Sequence, residues 1–209
     1  MIQILIADDH EMFREGIKRI CEDNPDLVVA GEASTGNEVL DKVVESDYDL
    51  LLLDIAMPGL NGLDTLKQLK TLKPRLRVLV LSMYPEDEYA MRAIKAGAAG
   101  YLTKAKASRE LMEAIKKISH GGNYINASVA EKLLFDTKSE TSVPLHKTLS
   151  DREYQILNMI VRGMKVSEIA EDLSLSVKTV STYKVRILNK MEMKSTAELV
   201  KYALEHDLL

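Results

Sequence analysis

The strongest constraint on this chain is a five-fold alternation of short apolar runs with amphipathic stretches across its first two-thirds. The runs are about Ile2–Ala7, Leu27–Gly31, Leu50–Asp54, Arg77–Ser82 and Gly100–Leu102. They are brief and largely apolar at consecutive positions, the pattern of strands buried on both faces. Between them, apolar residues recur every three or four positions, as in Val39, Leu40, Val43, Val44 and in Leu63, Leu66, Leu69, Leu72, so each intervening segment has one face to bury. Such strands, joined by such helices, predict an α/β fold with a doubly wound, five-stranded parallel sheet covered on both sides.

The alternation stops near Ser119. Gly121-Gly122 should end the preceding helix, and a short helix is expected at Ala127–Phe135. Asp136–Lys147, rich in Thr, Ser, Lys and Glu and containing Pro144, reads as a flexible linker. From Leu149 onward only helical periodicity remains, near Asp151–Arg162, Val166–Leu173, Val177–Met191 and Thr196–His206, which predicts a small all-α four-helix unit. The expected division is therefore 1–120, a linker over 121–147, and 148–209.

The net charge of −4 argues against a protein that coats nucleic acid by charge alone. The stretch before His146 is acidic by roughly five charges and the remainder basic by roughly one, so any DNA-binding role belongs to the C-terminal part. The single cysteine, Cys21, has no partner in the chain and no zinc-ligand spacing around it, as expected of an inert thiol in a reducing compartment. Met1–Ala7 meets two aspartates without the basic start or cleavage site of a signal peptide, and no run has the length of a membrane span. A cytoplasmic protein without membrane contact is expected, and the match of Asn126-Ala127-Ser128 to a glycosylation acceptor is accidental in that setting.

In a doubly wound sheet, ligands sit beyond the carboxyl ends of the strands. The informative polar residues fall there: Asp8 and Asp9 after the first strand, Asp54 at the end of the third, Ser82 at the end of the fourth, Lys104 after the fifth. Three carboxylates in one crevice repel unless a cation lies among them, and a thiolate-free oxygen set suits Mg²⁺. A metal held by two of them neutralises a phosphoryl oxygen and leaves the third free to attack phosphorus in line, with Lys104 as a second positive charge and Ser82 as a hydroxyl donor. Taken singly, Asp8 or Asp9 is as well explained as a helix cap and Asp54 as the start of the turn Asp54-Ile55-Ala56-Met57-Pro58-Gly59. Their joint placement at successive strand ends favours the ligand set.

These stretches, with Asp8-Asp9-His10, Leu81-Ser82 and Lys95-Ala96-Gly97-Ala98-Ala99-Gly100-Tyr101-Leu102-Thr103-Lys104, resemble the receiver domain of bacterial two-component response regulators over about Met1–Ser119. The resemblance implies a flavodoxin-like domain in which Asp54 is the phosphoacceptor. It makes Asp9 a direct Mg²⁺ ligand, Asp8 a ligand largely through water, and the Ala56 carbonyl a further one. Ser82 and Tyr101 resemble the switch pair, in which the hydroxyl moves to the phosphoryl oxygen and the aromatic ring turns inward. Ala56 and Met83 depart from residues common at their positions, and bulk beside the pocket slows attack of water on an acyl phosphate.

Val166–Leu173 followed by a turn and Val177–Met191 reads as a helix-turn-helix, with Ser176 placed to cap the second helix. Val180, Tyr183, Ile187 and Met191 form its buried face. Lys178, Thr179, Ser181, Thr182, Lys184 and Val185, flanked by Arg186 and Lys190, are left as the candidate DNA-binding set of small polar groups and cations. A Lys- and Ser-rich face is by itself more often only solvated. Together with Leu149-Ser150-Asp151-Arg152-Glu153 and the tail Thr196–Leu208, the segment resembles the LuxR-type DNA-binding domain, and the whole chain the NarL/FixJ family of regulators. Lys165 and Val166 replace the Ser-Asn pair common at the start of the motif, which predicts a weaker cap there. The resemblance implies a sensor histidine kinase as phosphodonor, duplex promoter DNA as target, and a homodimer formed on phosphorylation.

Competing readings fit less well. A phosphatase of the haloacid dehalogenase type needs a second aspartate two positions after the nucleophile, where this chain has Ala56, so no enzyme is expected. A nucleotide-binding enzyme needs a glycine-rich cradle after the first strand, where this chain has Asp-Asp-His. A receiver with a protein-binding output differs from the preferred reading in lacking salt-dependent DNA binding.

Overall fold

The computed structural model describes residues 1–84, 86–136, 144–206 and 208. It divides into two compact units, Met1–Ser139 and Glu140–Leu209.

Leu50, Leu51, Leu52 and Leu53 are fully buried and occupy consecutive positions, so the strand they form must have protein on both faces and neighbours on both edges. This strand, β3 (Leu50–Asp54), is the centre of an all-parallel sheet with β1 (Ile2–Ala7), β2 (Leu27–Ala33), β4 (Arg77–Ser82) and β5 (Gly100–Thr103), in the order β2-β1-β3-β4-β5. Helices α1 (Glu11–Glu22), α2 (Gly36–Glu45), α3 (Gly62–Leu72), α4 (Glu86–Lys95) and α5 (Lys104–Ser119) connect or follow the strands. One core joins Ile4, Ile6, Leu50, Leu52, Leu79 and Leu81 of the sheet to Ile17 and Cys21 of α1 and Leu111, Ile115 and Ile118 of α5. Helix starts follow local chemistry: Thr35 caps α2 by accepting the Glu38 N–H, and Asn61 caps α3 by accepting that of Asp64.

β2 runs two residues beyond its expected end at Gly31: β1 keeps pairing as far as Ala7, and a register shift between Ile4 and Leu5 adds one residue on the β2 side, so Ala7 pairs with Ala33. The chain after α5 also differs from a plain linker. Gly121 takes the left-handed conformation (φ 85°) that ends the helix turn. Tyr124 then lies along β5, its N–H donating to the Ala99 carbonyl at 2.9 Å and its carbonyl accepting the Tyr101 N–H at 3.1 Å. α6 (Ala127–Asp136) packs against α4 and buries Val129. Of the stretch read as a linker over 121–147, the first half is thus part of the first unit, and residues 137–143 lie outside the described residues.

In the second unit, a 3-10 turn (Leu145–Thr148) precedes α7 (Asp151–Val161), α8 (Val166–Asp172), α9 (Val177–Lys190) and α10 (Thr196–Glu205). Ser150 and Glu153 form a reciprocal capping box at the start of α7. Ile156, Ile169, Leu173, Val180, Ile187, Met191, Leu199 and Ala203 are buried together as its core. Among the described residues no helix is long and apolar enough to cross a membrane.

Candidate functional site

The carboxyl ends of the strands carry the polar cluster. Asp54 is the last residue of β3 and Asp8 follows β1; both are buried. Lys104, the first residue of α5, places its Nζ 2.7 Å from Asp8 Oδ2 and 2.7 Å from Asp54 Oδ2, and 4.7 Å from the centroid of the Phe13 ring of α1. The other Asp54 oxygen accepts the Ala56 N–H at 3.0 Å. His10 donates its N–H to Asp8 Oδ1 at 2.9 Å, and its Nδ1 lies 3.2 Å from that oxygen and 2.8 Å from Asp9 Oδ1. Asp8, Asp9, His10 and Asp54 each offer a ligand atom, all within 4.8 Å of one another.

A divalent cation fits this arrangement. Two buried carboxylates, Asp8 and Asp54, share the single Lys104 ammonium, with Asp9 Oδ1 close by, so the cluster carries more negative charge than that one cation neutralises. The donors are mostly carboxylate oxygens, which suit a hard ion. Burial pushes the Asp54 carboxyl above the ordinary carboxylate range, and Asp8 adds to the rise; Lys104 opposes it without cancelling it. For Lys104, burial alone would lower the pKa, but Asp54 and Asp8 outweigh it and raise it, so the ammonium is firmly charged.

Ser82 and Tyr101 converge on one residue. The Ser82 hydroxyl accepts the N–H of Tyr84 at 3.0 Å, and the Tyr101 hydroxyl donates to the Tyr84 carbonyl at 2.9 Å. The Tyr84 ring stacks on Tyr89 of α4, with centroids 4.5 Å apart. Tyr101 is buried, so the inward ring position coexists with a Ser82 hydroxyl engaged by the backbone. Met83 points to solvent with 70% of its surface exposed.

Several contributors carry no signal in the sequence pattern. A Cβ at Gly62 would lie 2.0 Å from the carbonyl oxygen of Asp54, so only glycine lets α3 begin beside the acidic residue. The pair Asn61-Gly62 is the one hint, a cap followed by the residue that permits close approach. Phe13, which lies beneath the Lys104 ammonium, reads as an ordinary core aromatic.

In the second unit, α8 and α9 meet at a turn in which Ser174 adopts the left-handed conformation (φ 51°). Ser176 accepts the Thr179 N–H at 3.0 Å and caps α9. At α8 the expected loss of a cap is made up by Glu168, whose carboxylate accepts the Lys165 N–H at 2.8 Å. On α9, Val180 and Ile187 are buried, and Lys178, Ser181, Thr182, Val185, Arg186 and Lys190 are exposed. Thr179 and Lys184 are half-buried. Three of the candidate side chains are already engaged: Thr179 Oγ1 hydrogen-bonds Ser176 Oγ at 2.7 Å, Thr182 Oγ1 donates to the Lys178 carbonyl at 2.9 Å, and Lys190 Nζ binds Glu153 Oε2 at 2.7 Å. Burial would raise the Glu153 carboxyl, but Lys190 and the Ser150 amide and hydroxyl hold it below the ordinary range.

Comparison with known proteins agrees with both halves. The family model described as response regulator receiver domain matches residues 4–116, and the one described as bacterial regulatory proteins, luxR family, matches residues 147–203. The chain is 36% identical over 209 residues to the response regulator UvrY of Escherichia coli K12, covering all of this chain and 96% of the relative. It is 38% identical over 209 residues to the response regulator GacA of Pseudomonas protegens, covering all of this chain and 98% of the relative. Among solved structures, RcsB from Salmonella enterica serovar Typhimurium, bound to promoter P1flhDC in the presence of the phosphomimetic BeF3−, aligns at a TM-score of 0.65 with 26% identity. That alignment spans 96% of this chain and 97% of RcsB.

Proposed function

Because the chain belongs to the response regulators that join a receiver to a LuxR-type DNA-binding domain, we propose that it is a transcription regulator switched by phosphorylation of Asp54. The observation that carries this reading is Lys104 Nζ shared at 2.7 Å between the buried carboxylates of Asp8 and Asp54 at the carboxyl ends of the strands. The receiver is residues 1–120, with Tyr124 and α6 from the following stretch, 121–147, added to the same unit, and residues 148–209 bind duplex promoter DNA. The phosphodonor is a sensor histidine kinase, the protein acts in the cytoplasm, and it regulates rather than turns over a substrate.

In the transfer step, an Asp54 carboxylate oxygen forms a bond to phosphorus while the bond from phosphorus to the donor's histidine nitrogen breaks and that nitrogen keeps the electron pair. Lys104 neutralises the incoming oxygens. The Ala56 N–H holds one Asp54 oxygen and so aims the other. Asp8, Asp9, Asp54 and the Ala56 carbonyl would hold Mg²⁺, which would offset the negative charge that accumulates on the phosphoryl group during transfer. Ser82 and Tyr101 form the switch: a phosphoryl group on Asp54 draws the Ser82 hydroxyl from the Tyr84 N–H, and the loop before α4 rearranges. Dimers formed on phosphorylation then place two copies of α9 on adjacent half-sites, with Lys178, Thr179, Ser181, Thr182, Lys184, Val185, Arg186 and Lys190 as the contacting set.

Intact-mass measurement with acetyl phosphate and Mg²⁺ tests the acceptor. Wild type gains one phosphoryl group, Asp54→Asn gains none, and chelation abolishes uptake. Equal uptake by both proteins removes Asp54 from the role.

A further inference from the structure

The turn that carries Asp8 and Asp9 leaves the sheet at a point where the ladder runs out. The Asp8 N–H donates to the Ala33 carbonyl at 3.0 Å, at the last residue of β2. One atom group further on, the Asp8 carbonyl has no strand left to pair with. Arg14 of α1 takes it: Nη1 donates to the Asp8 carbonyl oxygen at 2.7 Å. The guanidinium is itself held, its Nε donating to Glu32 Oε2 of β2 at 2.9 Å, while Lys18 Nζ binds the second Glu32 oxygen at 2.8 Å. The Arg14 side chain is only 16% exposed, so the contact is sheltered from competing water.

We infer that Arg14 is a positioning residue for the metal: by fixing the peptide between Asp8 and Asp9 it sets the directions in which both carboxylates leave the chain. The orientation of that carbonyl is the ψ of Asp8 and constrains the φ of Asp9. The two acids occupy different environments, Asp8 fully buried against Lys104 and Asp9 with 28% of its side chain exposed beside His10, and both must still converge on one ion. Without Arg14 the peptide is free to turn its oxygen to solvent, and the two carboxylates lose their common focus while Asp8 remains anchored by its N–H. The bond is to the backbone of one ligand and touches neither phosphorus nor Asp54, so its loss affects metal affinity more than the transfer step. Partners of this kind, one contact removed from a metal, are worth about 10- to 100-fold in affinity.

This inference rests on the reading of the acidic pocket as an Mg²⁺ site, and the experiment separates the two. Isothermal titration of full-length protein with MgCl₂ alone is run on wild type, Asp9→Asn, Arg14→Ala, Arg14→Lys and Glu32→Gln, with phosphoryl uptake from acetyl phosphate measured against Mg²⁺ concentration. Wild type binds and Asp9→Asn does not; a wild type that fails to bind Mg²⁺ overturns the site itself. Arg14→Ala should need about tenfold more Mg²⁺ for half-saturation in both assays, with an uptake rate at saturating Mg²⁺ within about twofold of wild type. Arg14→Lys, whose single ammonium reaches the Asp8 carbonyl or Glu32 but not both in the same geometry, should recover part of the loss, and it decides the matter if the alanine variant does not fold. Glu32→Gln keeps an acceptor for Nε and should change affinity less than threefold. An unchanged Mg²⁺ titration in both Arg14 variants, in a protein whose wild type binds the ion, overturns the inference. So does an uptake rate that stays depressed however much Mg²⁺ is supplied.

Discussion

Replacing Lys104 by methionine removes one positive charge and almost no volume, and it leaves Asp8 and Asp54 facing each other in a buried pocket with side-chain exposures of 2% and 1%. Removing one partner from a buried ion pair costs about 3–5 kcal/mol, a large share of the roughly 5–15 kcal/mol that holds a domain folded. With a urea dependence near 2 kcal/mol per molar, a loss of about 3 kcal/mol lowers the unfolding midpoint by roughly 1.5 M. Far-ultraviolet circular dichroism in EDTA at pH 7.5 reads this directly. Adding Mg²⁺ should return more stability to Lys104→Met than it adds to wild type, because the ion then supplies the only cation in the pocket.

The pH dependence has a defined sign. Asp54 has a folded pKa above its unfolded value of about 3.9, so the stability it contributes is fully present below that value and is lost as pH rises through the folded one. Without the opposing pull of Lys104 the folded pKa climbs further, and the variant gains on wild type as the solution is acidified. Lys104 is also raised, above 10.5, so its contribution is fully present below that value and fades only as pH climbs through the folded pKa. The gap between the two proteins should therefore be widest at neutral to mildly alkaline pH. A variant whose midpoint lies within about 0.2 M of wild type in EDTA, or that gains no more from Mg²⁺ than wild type, would refute the account of the pocket as two carboxylates restrained by one shared cation.

Gly62→Ala should cut phosphoryl uptake at least tenfold, because its Cβ would lie 2.0 Å from the Asp54 carbonyl, whereas Gly59→Ala, in open space at φ 73°, should cost about 1 kcal/mol of stability and leave uptake intact; parallel mass and urea measurements compare them. Gly100→Ala places a Cβ 2.7 Å from the Tyr124 carbonyl oxygen and should detach that segment from β5, losing two backbone hydrogen bonds worth about 1 kcal/mol each and speeding amide exchange at Tyr101. On DNA, Lys178→Ala should flatten the salt dependence of binding by about one counterion, and Lys190→Ala should do so less, since Lys190 already pairs with Glu153; salt titrations of both variants on one operator rank them.

The sheet, its strand ends and the acidic cluster were legible because each is written in local sequence. Four consecutive leucines declare a strand buried on both faces, and an acid or a lysine at the end of such a strand has one place to go. The helix-turn-helix was legible for the same reason, through spacing and the Ser176 cap. What escaped depends on distance in space. Gly62 is needed because Asp54, eight positions earlier, returns to within contact of it. Tyr124 joins the sheet by one isolated bridge, which leaves no alternating pattern to read. Arg14 and Lys190 sit on helices whose charged faces look solvated, and only the fold reveals that one holds a carbonyl and the other a buried glutamate.

The same gap explains why Ser82 and Tyr101 stand out in the sequence while the residue that joins them does not. Ser82 and Tyr101 lie on different strands and share no sequence relation, yet the N–H of Tyr84 is held by the first and its carbonyl by the second. Tyr101 donates its own N–H to Tyr124, in the segment that leads to α6, and the Tyr84 ring rests on Tyr89 of α4, the helix against which α6 packs. Withdrawing the Ser82 hydroxyl therefore releases one end of a residue whose other end and side chain remain attached to β5 and α4. A rearrangement confined to one loop then reaches α6 by two routes, through the backbone of Tyr101 and through the packed face of α4, and both routes lie within the first unit.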